Sequence, residues 1–299
     1  MDIDLLRDLY EIYSPSLKEK RIRKYIRRYI ETIPDIVKKE VDGNMYITKG
    51  VSDAYPCIVA HLDQVQDPYP KDYKTVVFGD TIMGWSDSTH SQCGLGADDK
   101  NGIYIALRAL QFFDAVKVAF FTGEERGCIG SSKAEMSFFL DCRFVIEPDR
   151  RGSSDLITTM CGVEVCSQEF LGDIPYNEFG YIPTQGSLTD ALTLCENGLG
   201  LACINLSCGY HHPHTEQEIT VLSELENCER LVFAIAMRCQ DIYYHEPPKV
   251  YDYATVYGGE KKDYTHYGYN TYAYDDIWED SDWDRYLAEE RKLQEEYAY

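Results

Sequence analysis

Acidic and histidine side chains stand where four apolar segments of the sequence end. His61 and Asp63 end the segment PCIVAHLD, and Glu124 and Glu125 end VKVAFFTGEE. Asp149 ends CRFVIEPD, and a cluster of histidines follows LACINLSCG. Continuous apolar runs are typical of strands buried in a parallel sheet, and ligands bind outside the carboxyl ends of such strands. The pattern therefore predicts one polar site at one edge of a sheet.

A fifth segment, GLGADDKNG, places Asp98 and Asp99 at the start of an apolar helix. Aspartate in the first turn of a helix can cap free backbone N–H groups, and this structural role competes with a chemical one, above all for Asp99. For Asp98 we favour the chemical role because of the other four segments. The glycines match neither GxGxxG nor GxxxxGKS, so no nucleotide site is predicted.

Together these residues suit a pair of divalent metal ions. Nitrogen and oxygen ligands without cysteine favour Zn, with Mn or Co as alternatives. Two ions about 3.5–4 Å apart share one carboxylate, so two ligands for each ion and one bridge make a set of five. The five candidates are His61, Asp98, Glu125, Asp149 and one histidine of the late cluster.

Glu124 and Asp63 remain beside these ligands and have other predicted roles. A free carboxylate next to a metal site is what a general base requires, so Glu124 is predicted to take the proton of an attacking water. Asp63 lies two residues after His61 on the same side of the strand. There it can accept a hydrogen bond from the imidazole and fix the ring. The predicted chemistry is the attack of water on a carbonyl group.

The elements that must position this site alternate along residues 1–240. The four apolar segments are predicted strands, and DIVKKEV–NMYITKG and KTVVFGDTIMGW are predicted hairpins. Helical spacing marks LLRDLYEIY, LKEKRIRKYIRRYIETI, GIYIALRALQFF, LTDALTLCENG and a long closing helix, EQEITVLSELENCERLVFAIAMRC. Strands that alternate with helices predict an α/β fold with a mostly parallel central sheet and helices on both faces.

The charge and the cysteine content limit the possible partners and compartment. The 299 residues carry 29 Lys+Arg against 51 Asp+Glu, a net charge of -22, which argues against a nucleic-acid partner and a basic membrane contact. No apolar stretch is long enough to span a membrane, and the N-terminus MDIDLLRDLYEIYSPS lacks the pattern of a signal peptide. The 11 cysteines contain no CxxC pair, which predicts reduced thiols in a cytoplasmic protein.

Residues 241–299 differ from the rest of the chain in composition. They hold 13 of the 25 tyrosines and 15 acidic against 6 basic residues, with few aliphatic side chains to bury. We predict a mobile acidic tail, in which DSDWDRYLAEERKLQEEYAY has the composition of a short terminal helix. The alternative is a docking segment whose tyrosines anchor a protein partner.

The whole set of motifs resembles, in the same order, the co-catalytic zinc exopeptidases, which include peptidase T-like tripeptidases and glutamyl and leucyl-type aminopeptidases. The motifs are AHLDQV, GADDKNG, TGEERGCIG, IEPDRRG and HTEQE, and the resemblance covers residues 1–240. It implies an aminopeptidase in which Asp98 bridges two metal ions. It further implies that His61 and Asp149 bind one ion, and Glu125 and His214 the other.

The late histidines and the chain length qualify this resemblance. His214 is favoured as the ligand because HTEQE looks like the family's closing motif, and His212 is the alternative. Only 65 positions separate Asp149 from His214, which predicts a catalytic domain, residues 1–240, without an inserted lid and puts the family's oligomeric assembly in doubt. The resemblance also implies a cis peptide bond between Asp98 and Asp99.

Several side chains near these motifs are candidates for substrate contact. Arg150 and Arg151 follow a proposed ligand and could bind a substrate carboxylate, or belong to a solvated loop. Ser187 and Asp190, in GSLTDA, could contact a substrate amine or cap a helix. Tyr210 is a candidate donor to a developing oxyanion, or an ordinary tyrosine of a tyrosine-rich chain.

The predicted function is therefore an aminopeptidase that acts on short peptides. An amidohydrolase or deacylase with the same site is the second interpretation, because the two-metal chemistry is shared and specificity lies in the shape of the pocket. The third is an inactive scaffold that acts through the acidic tail. The complete ligand set and Glu124 argue against this third interpretation.

Overall fold

The computed structural model describes residues 1–246. Residues 247–299, with most of the predicted acidic tail and its terminal helix, lie outside the described residues. The folded part continues past residue 240, because Tyr243 is 1% exposed and its ring packs against Phe144 and Phe170. The Tyr243 hydroxyl donates to Asp173 at 2.7 Å. Between residues 1 and 246, no helix is long and apolar enough to cross a membrane.

Helices and strands alternate along the described residues. The α-helices are α1 (Ile3–Tyr10), α2 (Lys20–Ile30), α3 (Ala97–Phe112), α4 (Gln168–Asp173), α5 (Asp190–Glu196) and α6 (Leu222–Arg238). The strands are β1 (Ile36–Val41), β2 (Asn44–Lys49), β3 (Tyr55–His61), β4 (Tyr73–Phe78), β5 (Thr81–Ser86), β6 (Ser91–Cys93), β7 (Val116–Phe121), β8 (Cys142–Arg150), β9 (Asp155–Met160), β10 (Val163–Glu164), β11 (Ile182–Gly186), β12 (Cys203–Ser207), β13 (Tyr210–His211) and β14 (Ile219–Val221). Short 3₁₀ turns cover Glu124–Arg126, Ser131–Lys133, Met136–Phe139 and Tyr176–Phe179.

The main sheet of the described chain has nine strands in the order β1-β2-β7-β3-β8-β12-β9-β10, with β11 beside β9. Its central strands β7, β3, β8 and β12 run parallel, and Ile58 of β3 pairs with Val118 on one side and Ile146 on the other. Every residue of β3 and β7 is buried, as expected of strands that are covered on both faces. The predicted α/β class with a mostly parallel central sheet is confirmed.

Alternate residues of the central strands face two separate apolar layers. Ile58 and Ala60 of β3 belong to a layer that includes side chains of α1, α2, α3 and α6. Cys57 and Val59 belong to the opposite layer, which includes side chains of α5 and of the 3₁₀ turn Met136–Phe139. Successive side chains of a strand point to opposite faces, so a continuous apolar run is what two covered faces require.

A second, smaller sheet holds the segments on either side of the late histidines. Within the described residues its order is β13-β14-β5-β4, with β6 beside β5. The predicted closing helix is wrong at its start, because Ile219–Val221 forms strand β14 against β5 and helix α6 begins at Leu222. Isoleucine, threonine and valine are all β-branched and favour a strand. The pairing with β5 therefore prevails over the helical spacing of the sequence.

We predict that Gly130→Ala destabilises the fold by about 1–3 kcal/mol, the range for overpacking a filled site. A Cβ on Gly130 would lie 2.5 Å from Oδ1 of Asn44 and 2.5 Å from the backbone O of Thr122. Chemical denaturation would measure the loss. Gly172→Ala is the control, because a Cβ there meets nothing within 4 Å. Equal stability of the two variants would contradict the prediction.

Candidate metal centre

The sheet edge brings the five predicted ligands together. His61 ends β3, Asp149 is the last residue but one of β8, and Asp98 lies in the first turn of α3. Glu125 lies in the turn after β7, and His214 in the loop between β13 and β14. Their side chains form two overlapping clusters, in each of which the ligand atoms lie within 4.8 Å of one another. The clusters are His61–Asp98–Asp149 and Asp98–Glu125–His214.

The first cluster surrounds the imidazole of His61. Nε2 of His61 lies 3.0 Å from Oδ1 of Asp98 and 3.7 Å from Oδ1 of Asp149. On the opposite side of the ring, Nδ1 lies 3.4 Å from Oδ1 of Asp63. The side chains of His61 and Asp63 are 1% and 0% exposed. One nitrogen thus faces the cluster and the other faces an outer carboxylate, as is usual for histidine ligands of metals.

The second cluster joins Asp98 to the loop histidine. Nε2 of His214 lies 3.2 Å from Oδ2 of Asp98 and 2.9 Å from Oε1 of Glu125. Asp98 therefore presents one oxygen to each cluster. The other histidines of the loop have different surroundings: His211 Nε2 lies 2.6 Å from Oε2 of Glu224, and His212 is exposed. This geometry favours His214 over His212 as a ligand.

Asp99, next to the shared carboxylate, has a structural role. Its side chain is fully buried, and its Oδ1 accepts from the backbone N of Gly102 at 2.9 Å. Its Oδ2 accepts from the backbone N of His61 at 3.2 Å, which ties the helix start to the end of β3. The peptide bond between Asp98 and Asp99 is cis, as the resemblance implies. Capping is thus the role that the contacts of Asp99 support.

Asp63 connects the end of β3 to the turn that carries the two glutamates. Its Oδ1 accepts from the backbone N of Glu124 at 3.0 Å, and its Oδ2 from that of Glu125 at 3.3 Å. Oγ of Ser16 donates to the same Oδ2 at 2.7 Å. Asp63 therefore holds the glutamate turn and lies beside the ring of His61. This contact of Ser16 was not predicted, because Ser16 lies 47 positions before Asp63 and no sequence pattern around it indicates such a partner.

Glu124 lies on the wall of an open cavity of about 530 Å³ that both clusters border. Its Oε1 accepts from Sγ of Cys128 at 3.6 Å. Burial raises the pKa of Glu124 well above its ordinary value. Glu124 also forms a third group with His61 and Glu125 that is close enough to hold an ion. Its position beside both clusters is therefore suited to a general base.

The crowding of carboxylates shifts the pKa values of the candidate ligands. Burial and the charge of Asp98 raise the pKa of Asp149 to about 7. Hydrogen bonds to Asp98 and Glu125 raise the pKa of His214 to about 11. Burial lowers the pKa of His61, but the carboxylates around it, Asp149 foremost, outweigh burial and raise that pKa well above its ordinary value. The site therefore favours positive charge.

The chemistry of these donors fits divalent cations. Three carboxylates and two imidazoles converge on one sheet edge, and the side chains of Asp98, Asp149 and Glu125 are 11%, 6% and 8% exposed. Carboxylates withdrawn from water are costly unless a cation or hydrogen bonds compensate their charge. Oxygen and nitrogen donors are the ligands that zinc and manganese accept in proteins. The residues present therefore fit a metal site.

Two candidates for substrate contact, Asp190 and Tyr210, are buried and hydrogen-bonded to other side chains of the protein. Asp190 is 0% exposed, and its Oδ1 accepts from Oγ of Ser131 at 2.5 Å. Tyr210 is 3% exposed, and its hydroxyl donates to Oδ1 of Asp149 at 3.2 Å. Tyr210 is thus placed to orient a candidate ligand, and Asp190 to hold α5 against the turn of Ser131.

The chain is similar to several solved structures. Aminopeptidase PepT from Bacillus cereus matches at 16% identity and a TM-score of 0.61, over 79% of this chain and 97% of that one. A tripeptidase from Staphylococcus aureus matches at 14% identity and a TM-score of 0.62, over 78% and 96%. An aminopeptidase from the archaeon Desulfurococcus kamchatkensis matches at 15% and 0.61, over 78% and 94%. The chain therefore has the fold of these peptidases, and the predicted resemblance is confirmed at that level.

Similarity to a curated sequence is local. A segment of 72 residues is 38% identical to a LysW-lysine/LysW-ornithine hydrolase of Pyrobaculum aerophilum. This segment spans 23% of the chain and 21% of the relative's length. No protein-family model matches the chain.

Proposed function

We propose that the protein is a metal-dependent exopeptidase that removes N-terminal residues from short peptides. The observation that carries this proposal is the shared carboxylate, because Asp98 directs one oxygen to His61 and the other to His214. Two ligand clusters that share a carboxylate are what a pair of ions about 3.5–4 Å apart requires. The ligand types favour Zn, with Mn or Co as alternatives.

The proposal gives each ligand one position. Asp98 would contribute to both ions, His61 and Asp149 would hold one ion, and Glu125 and His214 would hold the other. Two divalent ions held there would lower the pKa of water and polarise the carbonyl group of the substrate.

The residues around the ligands supply the proton transfers and the alignment. Glu124 is the general base, which takes a proton from the attacking water and gives it to the leaving amine. Asp63 holds the ring of His61 on one side and the backbone amide of Glu124 on the other. Tyr210 holds the carboxylate of Asp149 through its hydroxyl.

The names of the similar proteins support hydrolysis of an amide bond. Three relatives of known structure are named aminopeptidase or tripeptidase, which favours short peptides as substrates. The locally matching relative is named a LysW-lysine/LysW-ornithine hydrolase, which favours the second candidate, an amidohydrolase that uses the same site. An inactive scaffold receives no support from a site whose candidate ligands converge.

We place the protein in the cytoplasm. The 11 cysteines all lie in the described part of the chain as free thiols, and only Cys161 among them is exposed. Free buried thiols are typical of a reducing compartment. In this proposal the catalytic domain comprises residues 1–240 and also Tyr243, which packs in the same core. The acidic segment that follows is a candidate docking segment for a protein partner.

Metal analysis combined with an activity panel tests the proposal. Mass spectrometry of the purified protein should find about two divalent ions per chain. The panel comprises leucine and alanine anilides, tripeptides and N-acyl amino acids, each before and after chelation. Release from anilides and tripeptides that chelation abolishes would support the aminopeptidase. Turnover of N-acyl amino acids alone would favour the amidohydrolase, and a protein without metal or activity would contradict both.

We predict that Arg151→Ala weakens binding of peptides with a free C-terminal carboxylate. Arg150 and Arg151 line the cavity, and the backbone O of Arg151 accepts from Oγ of Ser207 at 2.8 Å, which fixes the loop. KM for trialanine should rise about tenfold to hundredfold, the equivalent of about 1.5–3 kcal/mol for bonds to a charged group. KM for trialanine amide should not change. Arg230→Ala is the control, and equal effects on both peptides would contradict the prediction.

We further predict that metal binding releases protons and weakens as the pH falls. The raised pKa values of His214, about 11, and of His61 keep both imidazoles protonated at neutral pH in the metal-free protein. A metal ligand must be deprotonated, so each ion competes with protons, and this competition grows as the pH falls. A pH indicator in weak buffer should record at least two protons released per chain on addition of zinc, because Asp149, with a pKa of about 7, also gives up its proton. Affinity that is equal at pH 6 and pH 8 would contradict the prediction.

A further inference from the structure

A buried carboxylate outside the proposed ligand set joins the loop of His214 to the start of α3. Glu218 is 0% exposed, and its Oε1 accepts from the backbone N of Asp98 at 3.2 Å. Its Oε2 accepts from the backbone N of Ala97 at 3.1 Å and from Nε2 of Gln66 at 2.9 Å. Both carboxylate oxygens of Glu218 therefore bond to the backbone at the start of α3, which carries the shared ligand Asp98.

The loop of His214 depends on such contacts because it lies at the surface. The side chain of His214 is 49% exposed. Oε2 of Glu216 accepts from the backbone N of Gly94 at 2.8 Å, and the backbone O of Glu218 accepts from Nε2 of Gln92 at 3.1 Å. Hydrogen bonds to the residues that precede α3 thus set the position of this loop.

The two metal clusters differ in how their members are held. His61 and Asp149 of the first cluster lie on β3 and β8, which are neighbours in the main sheet. In the second cluster, Asp98 and His214 come from separate segments that are not paired as strands. Glu218 lies four residues after His214 and bonds directly to the amide of Asp98. It therefore fixes one ligand of the second cluster relative to the other.

We infer that Glu218 is a positioning residue that sets the affinity of the ion bound by Asp98, Glu125 and His214. The inference rests on the proposed two-metal function. Residues that orient metal ligands commonly change the affinity by about 10–100-fold when they are replaced. The ion held by His61 and Asp149 is affected less, because the sheet positions those ligands.

Glu218→Gln tests this role with little change in size. Glutamine replaces one acceptor oxygen by an NH₂ group, so at least one of the three donors around Glu218 loses its acceptor. The metal-free protein is titrated with Zn²⁺ against a chromophoric chelator. The ion bound by Asp98, Glu125 and His214 should bind about 10–100-fold more weakly, and the other ion, which shares Asp98, should lose less affinity. At saturating Zn²⁺, kcat should approach the wild-type value because every ligand is still present.

Glu216→Gln is the matched control, because its amide oxygen can still accept from the backbone N of Gly94 and the amide of Asp98 stays bonded to Glu218. Both affinities should stay at their wild-type values in this control. Unchanged affinities in Glu218→Gln would overturn the inference alone. Equal weakening of both ions, with a lower melting temperature of the metal-free protein, would overturn it too, because the role would then be generally structural. If Glu218→Gln does not fold, Gln66→Ala should weaken the same ion less, and unchanged binding would contradict the inference.

The wild-type titration separates the inference from its premise. Wild-type protein that binds two Zn²⁺ ions supports the proposed function whatever the Glu218 variant does. Wild-type protein that binds fewer than two ions overturns the proposed function, and the inference fails with it.

Discussion

Replacement of Glu124 by alanine is expected to lower kcat by about 10²–10⁴-fold and to leave the metal content unchanged. Glu124 lies on the wall of the cavity that both clusters border, and burial raises its pKa well above its ordinary value. A carboxylate with a raised pKa is suited to take a proton from water and to give it back to a leaving amine. The five other side chains complete the two clusters without it.

The adjacent residue of the same turn provides the contrast. Glu125 lies 2.9 Å from Nε2 of His214, so Glu125→Ala should lose metal as well as activity. Mass spectrometry of both variants, with kcat on leucine anilide, distinguishes the two roles. Glu124→Ala protein that has lost its metal would show that base and ligand are misassigned. This measurement is needed because Glu124 lies close enough to His61 and Glu125 for the three side chains to hold an ion.

The convergence of the candidate residues could be predicted from the sequence because they lie at the ends of the most regular elements. A short continuous apolar run such as β3 is typical of a strand buried in a parallel sheet, and the residues that end it, His61 and Asp63, then lie at the sheet edge. The hairpins β1–β2 and β4–β5 are equally local, because the turn residues between their strands indicate them. Patterns within about ten residues thus predicted most of the sheet.

The contacts that hold the site together are not local, and the sequence did not reveal them. Ser16 reaches Asp63 across 47 positions, and Gln66 reaches Glu218 across 152 positions. A single serine or glutamine has no periodicity that would indicate such a partner. Residues 155–186 escaped prediction for a related reason. No residue of strand β11 is buried, so its sequence lacks a continuous apolar run. Its pairing with β9 is short and is interrupted by a bulge.

The clustered acids have a consequence for stability that links the fold to the proposed function. Asp98, Asp149 and Glu125 are buried or nearly so. Burial and the charge of Asp98 raise the pKa values of Asp149 and Glu125, whereas His214 and His61 hold the pKa of Asp98 below its ordinary value. Groups that bind a cation only in the native state make the folded protein more stable when that cation is present. A divalent cation bound at this acidic sheet edge should therefore raise the stability of the folded protein.

Asp98→Ala is expected to remove both ions from the protein, whereas His214→Ala should remove one. Asp98 places Oδ1 3.0 Å from Nε2 of His61 and Oδ2 3.2 Å from Nε2 of His214, so its loss takes a ligand from each cluster. His214 belongs to the second cluster only. Replacing a residue that orients a ligand lowers metal affinity by about 10–100-fold. Removing the ligand itself should lower the affinity further. Metal content after gel filtration measures both variants.

His212→Ala is the matched control for this pair, since it removes an exposed histidine two residues from the proposed ligand. Its metal content should equal that of the wild type. Loss of one ion in His212→Ala, with two retained in His214→Ala, would assign the ligand to His212. Asp98→Ala protein that retains one ion would mean that the carboxylate serves a single cluster. The two ions would then be independent, and the hydrolysis of a peptide by two ions acting on one water would lose its structural basis.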